Sequence, residues 1–218
     1  MLKNGIPAAR RALPAQRGIT LVEVLIGLAI AGLLMALGLP AFQTLLANNK
    51  VRNTADAIQA GLQVARAEAI KQNLAVEFLL FGDTDYAPSQ AGAVTANTSG
   101  PHWLVRVFDA ATASYTHLDW RNGFEGSAQS ESVGGSVTTT IAATYPTGLT
   151  PSNVITFRSL GGTSLGGAAT FDVSNPSAGV CNTSSTPGPI RCLRVVVTVA
   201  GQVRVCDPSV TSTDMRSC

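Results

Sequence analysis

Two hydrophobic patterns divide the chain. From Val24 to Phe42 it runs for 19 residues without a charge. At 1.5 Å per residue such a helix is about 28 Å long, close to the thickness of a bilayer core. Beyond Leu45 the apolar and small residues retreat to Val51, Ala55, Ile58, Leu62, Ala65 and Ala69, spaced alternately by four and three. That is the stripe of an amphipathic helix reaching about Asn73, with Arg52, Asp56, Gln59, Gln63 and Arg66 off the stripe. Arg52–Asp56 and Glu68–Lys71 fall at helical ion-pair spacings and add a few tenths of a kcal/mol each. Joined end to end, the two patterns make one helix of about 54 residues, roughly 80 Å long. Gly38, Pro40 and Gly61 are its expected points of bending or weakness.

After Asn73 the period shortens. Leu74–Phe81, Trp103–Asp109, Thr116–Trp120, Val137–Ile141, Val154–Phe157, Ala169–Val173, Leu193–Val199 and Gln202–Cys206 read as short strands punctuated by Gly, Pro, Ser and Asn. Residues 82–101 and 122–136 read as loops, and no internal repeat is present. The last hairpin can be placed in register. A two-residue Ala200-Gly201 turn would set Arg204 against Val197. A three-residue loop, Val199-Ala200-Gly201, with the glycine left-handed, instead sets Val195 and Val197 against Val205 and Val203 on an inner face. Arg194, Thr198, Gln202 and Arg204 then share the outer face.

Composition changes at the same place as the period. Only Thr20, Thr44 and Thr54 precede residue 84, whereas 36 Ser and Thr residues follow from there on. Charged residues are 13% of the chain and the net charge is +2, which excludes a histone-like nucleic-acid binder and an acidic disordered tail. All four cysteines, Cys181, Cys192, Cys206 and Cys218, lie in the C-terminal stretch without a C-x-x-C pair or a nearby histidine. That argues against zinc and for two disulfides in an oxidising compartment, with three connectivities open. Pairing in sequence order would close two short loops, each stabilising by about 2–4 kcal/mol.

The head of the chain carries a second message. Lys3, Arg10, Arg11 and Arg17 precede the apolar tract with no acid among them, an arrangement that keeps the N-terminus cytoplasmic and exports the rest. Neither a secretory signal cleaved after Ala36-Leu37-Gly38 nor a plain anchor accounts for Glu23 inside the tract. A carboxylate at mid-bilayer costs about 2.5–3.5 kcal/mol and needs a partner or a role.

Arg17-Gly18-Ile19-Thr20-Leu21-Val22-Glu23 resembles the class III signal of type IV prepilins and type II secretion pseudopilins. The resemblance implies cleavage between Gly18 and Ile19 by a prepilin peptidase, methylation of the new Ile19 terminus, and a mature chain of 200 residues. Glu23 becomes the fifth mature residue, which in that family pairs with the first-residue amino group of a neighbouring subunit. Pro40 falls where the family has a helix-kinking proline. The stretches 48–78 and 193–218 also resemble the GspH/FimT branch of minor pilins and pseudopilins. The implied fold is α+β: a pilin fold, with a long N-terminal helix laid on an antiparallel sheet and a disulfide-bearing C-terminus. The expected parts are a cleaved leader 1–18, a transmembrane and filament-core helix 19–42, an amphipathic helix 43–73 and a periplasmic β-rich domain 74–218. The expected partners are other pilins or pseudopilins, the prepilin peptidase and an inner-membrane assembly platform, reached through a single span.

Enzymatic readings are weaker. Gly162-Thr163-Ser164-Leu165-Gly166 matches the G-x-S-x-G nucleophile elbow, but both histidines, His102 and His117, precede Ser164, and a β-like stretch follows it. Neither histidine has an acid at ligand spacing, and no phosphate-cradling loop or H-E-x-x-H is present. The expectation is a non-enzyme without cofactor or metal. Arg191, Arg194, Arg204 and Arg216 suggest an alternative, because some members of the resembled family bind DNA through a C-terminal Gly-Arg-x-Arg pattern. The matching stretch here, Gly201-Gln202-Val203-Arg204, lacks the first arginine.

Overall fold

The computed structural model describes residues 19–82, 86–100, 102–121, 140–147, 152–183 and 185–218. The leader 1–18, Gly18 included, lies outside the described residues, as do the loop 122–136 and the first three positions of the strand expected at Val137–Ile141. The chain divides into two units, Met1–Ala41 and Phe42–Cys218, taken separately below.

A single helix, α1, spans Leu21–Gln72 and continues through Gly38 and Pro40 without a break. Thr20 caps its start: the Glu23 backbone N–H donates to the Thr20 Oγ1 at 3.3 Å. Its far end closes in a Schellman motif. Asn73 takes φ 55° and the Leu74 N–H reaches back to the Ala69 carbonyl at 3.3 Å. Asparagine tolerates that left-handed backbone, so the sequence stops the helix where the structure does.

In the Phe42–Cys218 unit, Ala47, Val51, Ala55, Ile58, Leu62, Ala65 and Ala69 of α1 are all fully buried. They join one core with two antiparallel sheets of four strands, where a single sheet was expected. The first sheet has β1 (Val76–Phe81), β2 (His102–Asp109), β3 (Ser114–Arg121) and β5 (Val154–Phe157) in the order β3-β2-β1-β5. The second has β4 (Thr140–Thr144), β6 (Ala169–Ser174), β7 (Leu193–Val197) and β8 (Val203–Cys206) in the order β4-β6-β7-β8.

Two short straps couple the sheets. Asn97 pairs with Leu80 where β5 has ended, while the Thr98 carbonyl accepts the Ala143 N–H of β4. Thr163 pairs with Phe157, and its N–H donates to the Val199 carbonyl at 2.9 Å. The second strap needs glycine twice. Gly161 and Gly201 hold φ +80° and +75°, and a Cβ on Gly201 would run into the Gly161 carbonyl oxygen.

Strand β1 is buried along its whole length because both of its faces are covered. Val76, Phe78 and Leu80 look into the core shared with α1. Leu79 and Phe81 look outward, where residues 86–96 lie across them with Tyr86, Ala91 and Val94. Gly61 is the small position that lets the first sheet approach α1: a Cβ there would meet the Phe78 and Trp103 rings at 3.0 Å. A bulge in β3 makes Leu118 the extra residue between the Val105–Asp119 and Arg106–His117 pairs. Leu118 packs against the core.

The last hairpin adopts the register read from its faces. Val195 pairs with Val205 and Val197 with Val203, and the Gly201 N–H closes the loop onto the Thr198 carbonyl at 2.9 Å. The disulfides join Cys181 to Cys192 and Cys206 to Cys218.

Candidate functional site

Taken alone, the N-terminal part of α1 is an apolar cylinder turned outward. Leu21, Val22, Val24, Leu25, Ile26, Leu28, Ile30, Leu33, Leu34 and Met35 are all exposed, and a methyl added at Gly27, Gly32 or Gly38 would meet nothing within 4 Å. Ile19 stands just ahead of the first helical turn, 76% exposed. Glu23 is the acid of that first turn, at the third helical position of a Thr-x-x-Glu capping sequence. There the helix dipole favours a negative charge. Among the described residues no cation pairs with its carboxylate. Chemically, this surface can be satisfied by lipid or by other helices, and its acid by a cation arriving from outside the chain.

The four C-terminal arginines do not form one basic patch. Arg194 and Arg204 lie on the outer face of the second sheet, where Arg194 grips Asp172 of β6 at 2.6 and 3.1 Å. Arg204 reaches the Cys218 carbonyl at 3.5 Å. Arg191 and Arg216 lie elsewhere, on a groove of about 550 Å³ between α1 and the C-terminal tail. Arg191 binds Asp207 at 2.5 Å and Arg216 binds Asp214 at 2.7 Å. Three of the four are therefore already neutralised by a carboxylate. Phosphate-driven DNA binding needs uncompensated positive charge, so this arrangement does not support it.

That groove brings together residues that lie far apart in the sequence. Asn48, Asn49, Arg52 and Asp56 come from α1; Arg191, Leu193, Val205, Cys206, Asp207 and Arg216 come from the C-terminal region. Asn48 fixes the two walls together. Its amide donates to the Pro189 carbonyl at 3.3 Å, and its carbonyl oxygen accepts the Arg191 N–H at 2.7 Å. Asp207 is 2% exposed. Burial works to raise its carboxyl, but hydrogen bonds from Ser209 and Arg191 outweigh that and hold it below the ordinary carboxylate value. Asp214 is pushed down to about 2, first by its hydrogen bond from the Arg216 side chain.

A second buried charge pair lies on the outer side of the first sheet. Glu77 and Arg106 face each other across β1 and β2 and meet at 2.8 Å, both nearly sealed from solvent. Arg106 also donates to the Ala91 carbonyl at 2.7 Å and stacks over the Tyr115 ring at 3.9 Å. It thereby fastens the 86–96 segment to the sheet. The sequence held a signal for it: one acid in Val-Glu-Phe-Leu-Leu-Phe and one base in Trp-Leu-Val-Arg-Val-Phe are the lone charges of two apolar runs.

The geometry gives the nucleophile-elbow reading no support. Ser164 sits in the strap between β5 and β6 with no helix after it, and its N–H is spent on the Thr156 carbonyl at 2.9 Å. His102 is buried against the Phe81 ring, and the His117 Nδ1 meets the Tyr86 hydroxyl at 3.2 Å. Among the described residues no group of three or more His, Cys, Asp and Glu side chains could hold a metal ion.

An exposed apolar helix of this kind, continuous with a core-packed segment under antiparallel sheets and a disulfide-tied tail, defines a pilin-type subunit. Residues 13–39 match the prokaryotic N-terminal methylation motif. Residues 54–201 match the type II transport protein GspH family, and the chain belongs to it. It is accordingly a minor pilin or pseudopilin, a structural subunit. No curated protein matches the chain by sequence. Among solved structures it is similar to the type IV minor pilin FimU of Pseudomonas aeruginosa, at 17% identity and a TM-score of 0.46 over 72% of this chain and 88% of that one. It is also similar to the minor pseudopilin EpsH of the Vibrio cholerae type 2 secretion system, at 13% identity and a TM-score of 0.40 over 74% of this chain and 99% of that one.

Proposed function

We propose that the chain is made as a precursor, cut between Gly18 and Ile19, methylated at Ile19, and inserted in the bacterial inner membrane with the β-rich body in the periplasm. From there it joins a type IV pilus or a type II secretion pseudopilus as a minor component of the initiating or tip complex. Other pilins or pseudopilins, the prepilin peptidase and the inner-membrane assembly platform are its partners. Glu23 takes the free amino group of a neighbouring subunit's first residue, since two opposite charges neutralise each other in a medium that penalises either alone. Pro40 marks a place where the helix can bend between neighbours.

The observation that carries this reading is the contrast on α1 between ten exposed apolar side chains and one acid that meets no cation among the described residues. The test is the N-terminus and fate of the mature chain. Mass spectrometry should find a methylated Ile19 terminus. Glu23→Ala should leave cleavage intact and remove the chain from sheared filaments or membrane-extracted pilin complexes. A mature chain that starts elsewhere, or a Glu23→Ala chain that incorporates like the parent, refutes the reading.

A further inference from the structure

Two uncharged stretches meet where the body begins. Along α1 no residue from Val24 to Asn49 carries a charge, 26 positions in a row. At 1.5 Å per residue that stretch is about 39 Å long, roughly six residues more than a hydrocarbon core takes up. The second stretch, Val173 to Ile190, contains no Asp, Glu, Lys, Arg or His and holds most of the loop closed by the Cys181–Cys192 disulfide. Asn48 joins the two through its bonds to the Pro189 carbonyl and the Arg191 N–H.

Each stretch leaves apolar side chains in the open at this junction. On the first turns of α1 in the body, Phe42, Leu45 and Leu46 are exposed, although Ala47 beside them is fully buried. On the loop, Val180 is 61% exposed. Its backbone is held: the Val180 carbonyl accepts the Ile190 N–H at 3.3 Å, and a Cβ on Gly188 would run into that carbonyl. The Asn182 N–H returns to the Ile190 carbonyl at 2.6 Å. The loop that presents Val180 is thus closed on itself and fastened to α1 two residues past Leu46.

The connectivity of the chain says what this surface faces. Phe42 ends the apolar tract, and α1 runs on from it unbroken to Asn48. With the tract in lipid, residues 42–48 take up the next 9 Å or so, comparable to a headgroup layer. That layer accepts hydroxyl and amide groups, and apolar faces settle about 5–10 Å into its boundary with the acyl chains. An acid there would face the lipid phosphates, and neither stretch has one beyond residue 23. Leu160 supplies the contrast. It is 95% exposed as well, but its turn lies against Ile70 through Gly161, about 42 Å further along α1 than Phe42.

We propose that Phe42, Leu45, Leu46 and Val180 form a collar that rests in the headgroup–acyl boundary of the membrane while the subunit is unassembled, the Cys181–Cys192 loop making a second lipid contact beside the helix. The inference rests on the membrane-inserted reading above and adds to it a contact made by the body itself. A subunit entering a filament gives up this contact.

The test places a small apolar diazirine amino acid at Val180, at Leu28 or at Leu160 of the full mature chain, reconstituted in vesicles of phosphatidylethanolamine and phosphatidylglycerol. Mass spectrometry reads the lipid adducts after illumination, and intact disulfides show that each variant folds. The lipid adduct at position 180 should exceed that at position 160 about tenfold, and Val180→Asp should lower the adduct formed from a diazirine at Leu46. If position 28 captures no lipid, the membrane reading falls and takes this proposal with it. If position 28 captures lipid but position 180 does no better than position 160, this proposal alone is overturned. In cells, a position-180 adduct to another pilin with none to lipid would overturn it in favour of a subunit contact.

Discussion

Two acids stand in apolar surroundings, and the chain treats them differently. Glu77 lies in a strand buried on both faces, and β2 brings Arg106 to it at 2.8 Å. Glu23 lies in a helix segment as apolar as that strand, and no described residue answers its charge. In the body from Phe42 onward the buried acid meets its base and the apolar stripe of α1 is covered. Among the described residues before it, the acid meets no base and the apolar side chains stay exposed. In lipid a carboxylate without a partner is costly, and no described residue supplies one, so the N-terminal segment is the part that the proposed assembly would engage.

The contrast can be broken most sharply at the two acids. Arg106→Ala should destabilise the body by about 3–5 kcal/mol in chemical denaturation, because it strands Glu77 in a dry site. The double change to Leu at both positions should recover most of that loss, as a buried pair is replaced by apolar packing. Glu23→Ala should leave the unfolding midpoint of the body where it was. A loss of stability with Glu23→Ala, or none with Arg106→Ala, would abolish the distinction.

Leucines give the next largest effect. Leu62→Ala removes a fully buried side chain from the core and should cost about 2–5 kcal/mol. Leu28→Ala, 65% exposed, should cost the body nothing measurable in the same assay.

Glycines sharpen the comparison further. Gly61→Ala would press a methyl against Phe78 and Trp103 and should destabilise by about 1–3 kcal/mol, outweighing the better helix propensity of alanine. Gly27→Ala, with open space around it, should leave body stability unchanged, and any effect it has should appear only in assembly.

The smallest effect is that of acid on the tail. Asp207 and Asp214 are both held below the ordinary carboxylate value. Groups depressed in the folded state stabilise fully above the unfolded value, about 3.9, and lose that contribution as pH falls through the folded one. Protection of the Ser209 and Arg216 amides against hydrogen exchange should therefore hold from neutral pH to about 4, then fall towards pH 2. Loss of protection already at pH 6 would show that these carboxylates do not hold the tail.

Much of this architecture is written locally. The helix stripe from Val51 to Ala69, the Asn73 stop, the strand segments and the register of the last hairpin follow from periodicity, capping and turn chemistry, which act over a few residues. The methylation motif over residues 13–39 was equally plain, because a charge such as Glu23 in an apolar run is conspicuous without any fold. The sites made of distant parts were not. The division into two sheets depends on straps at Asn97–Thr98 and Thr163, whose partners are far away in sequence. The four C-terminal arginines looked like one cluster, yet strand alternation sends Arg194 and Arg204 to one face and the Cys206–Cys218 tail carries Arg216 to the groove with Arg191.

By itself, then, the sequence determined the apolar helix with its single acid, the elements that follow it and the four thiols that could bridge. Those properties depend on neighbours along the chain. Only the tertiary structure decided that Glu77 meets Arg106, that Asn48 ties α1 to the loop ahead of Arg191, and that three arginines share a groove. Each of those depends on which far-apart segments pack together, and packing is set by the whole core rather than by any stretch of residues.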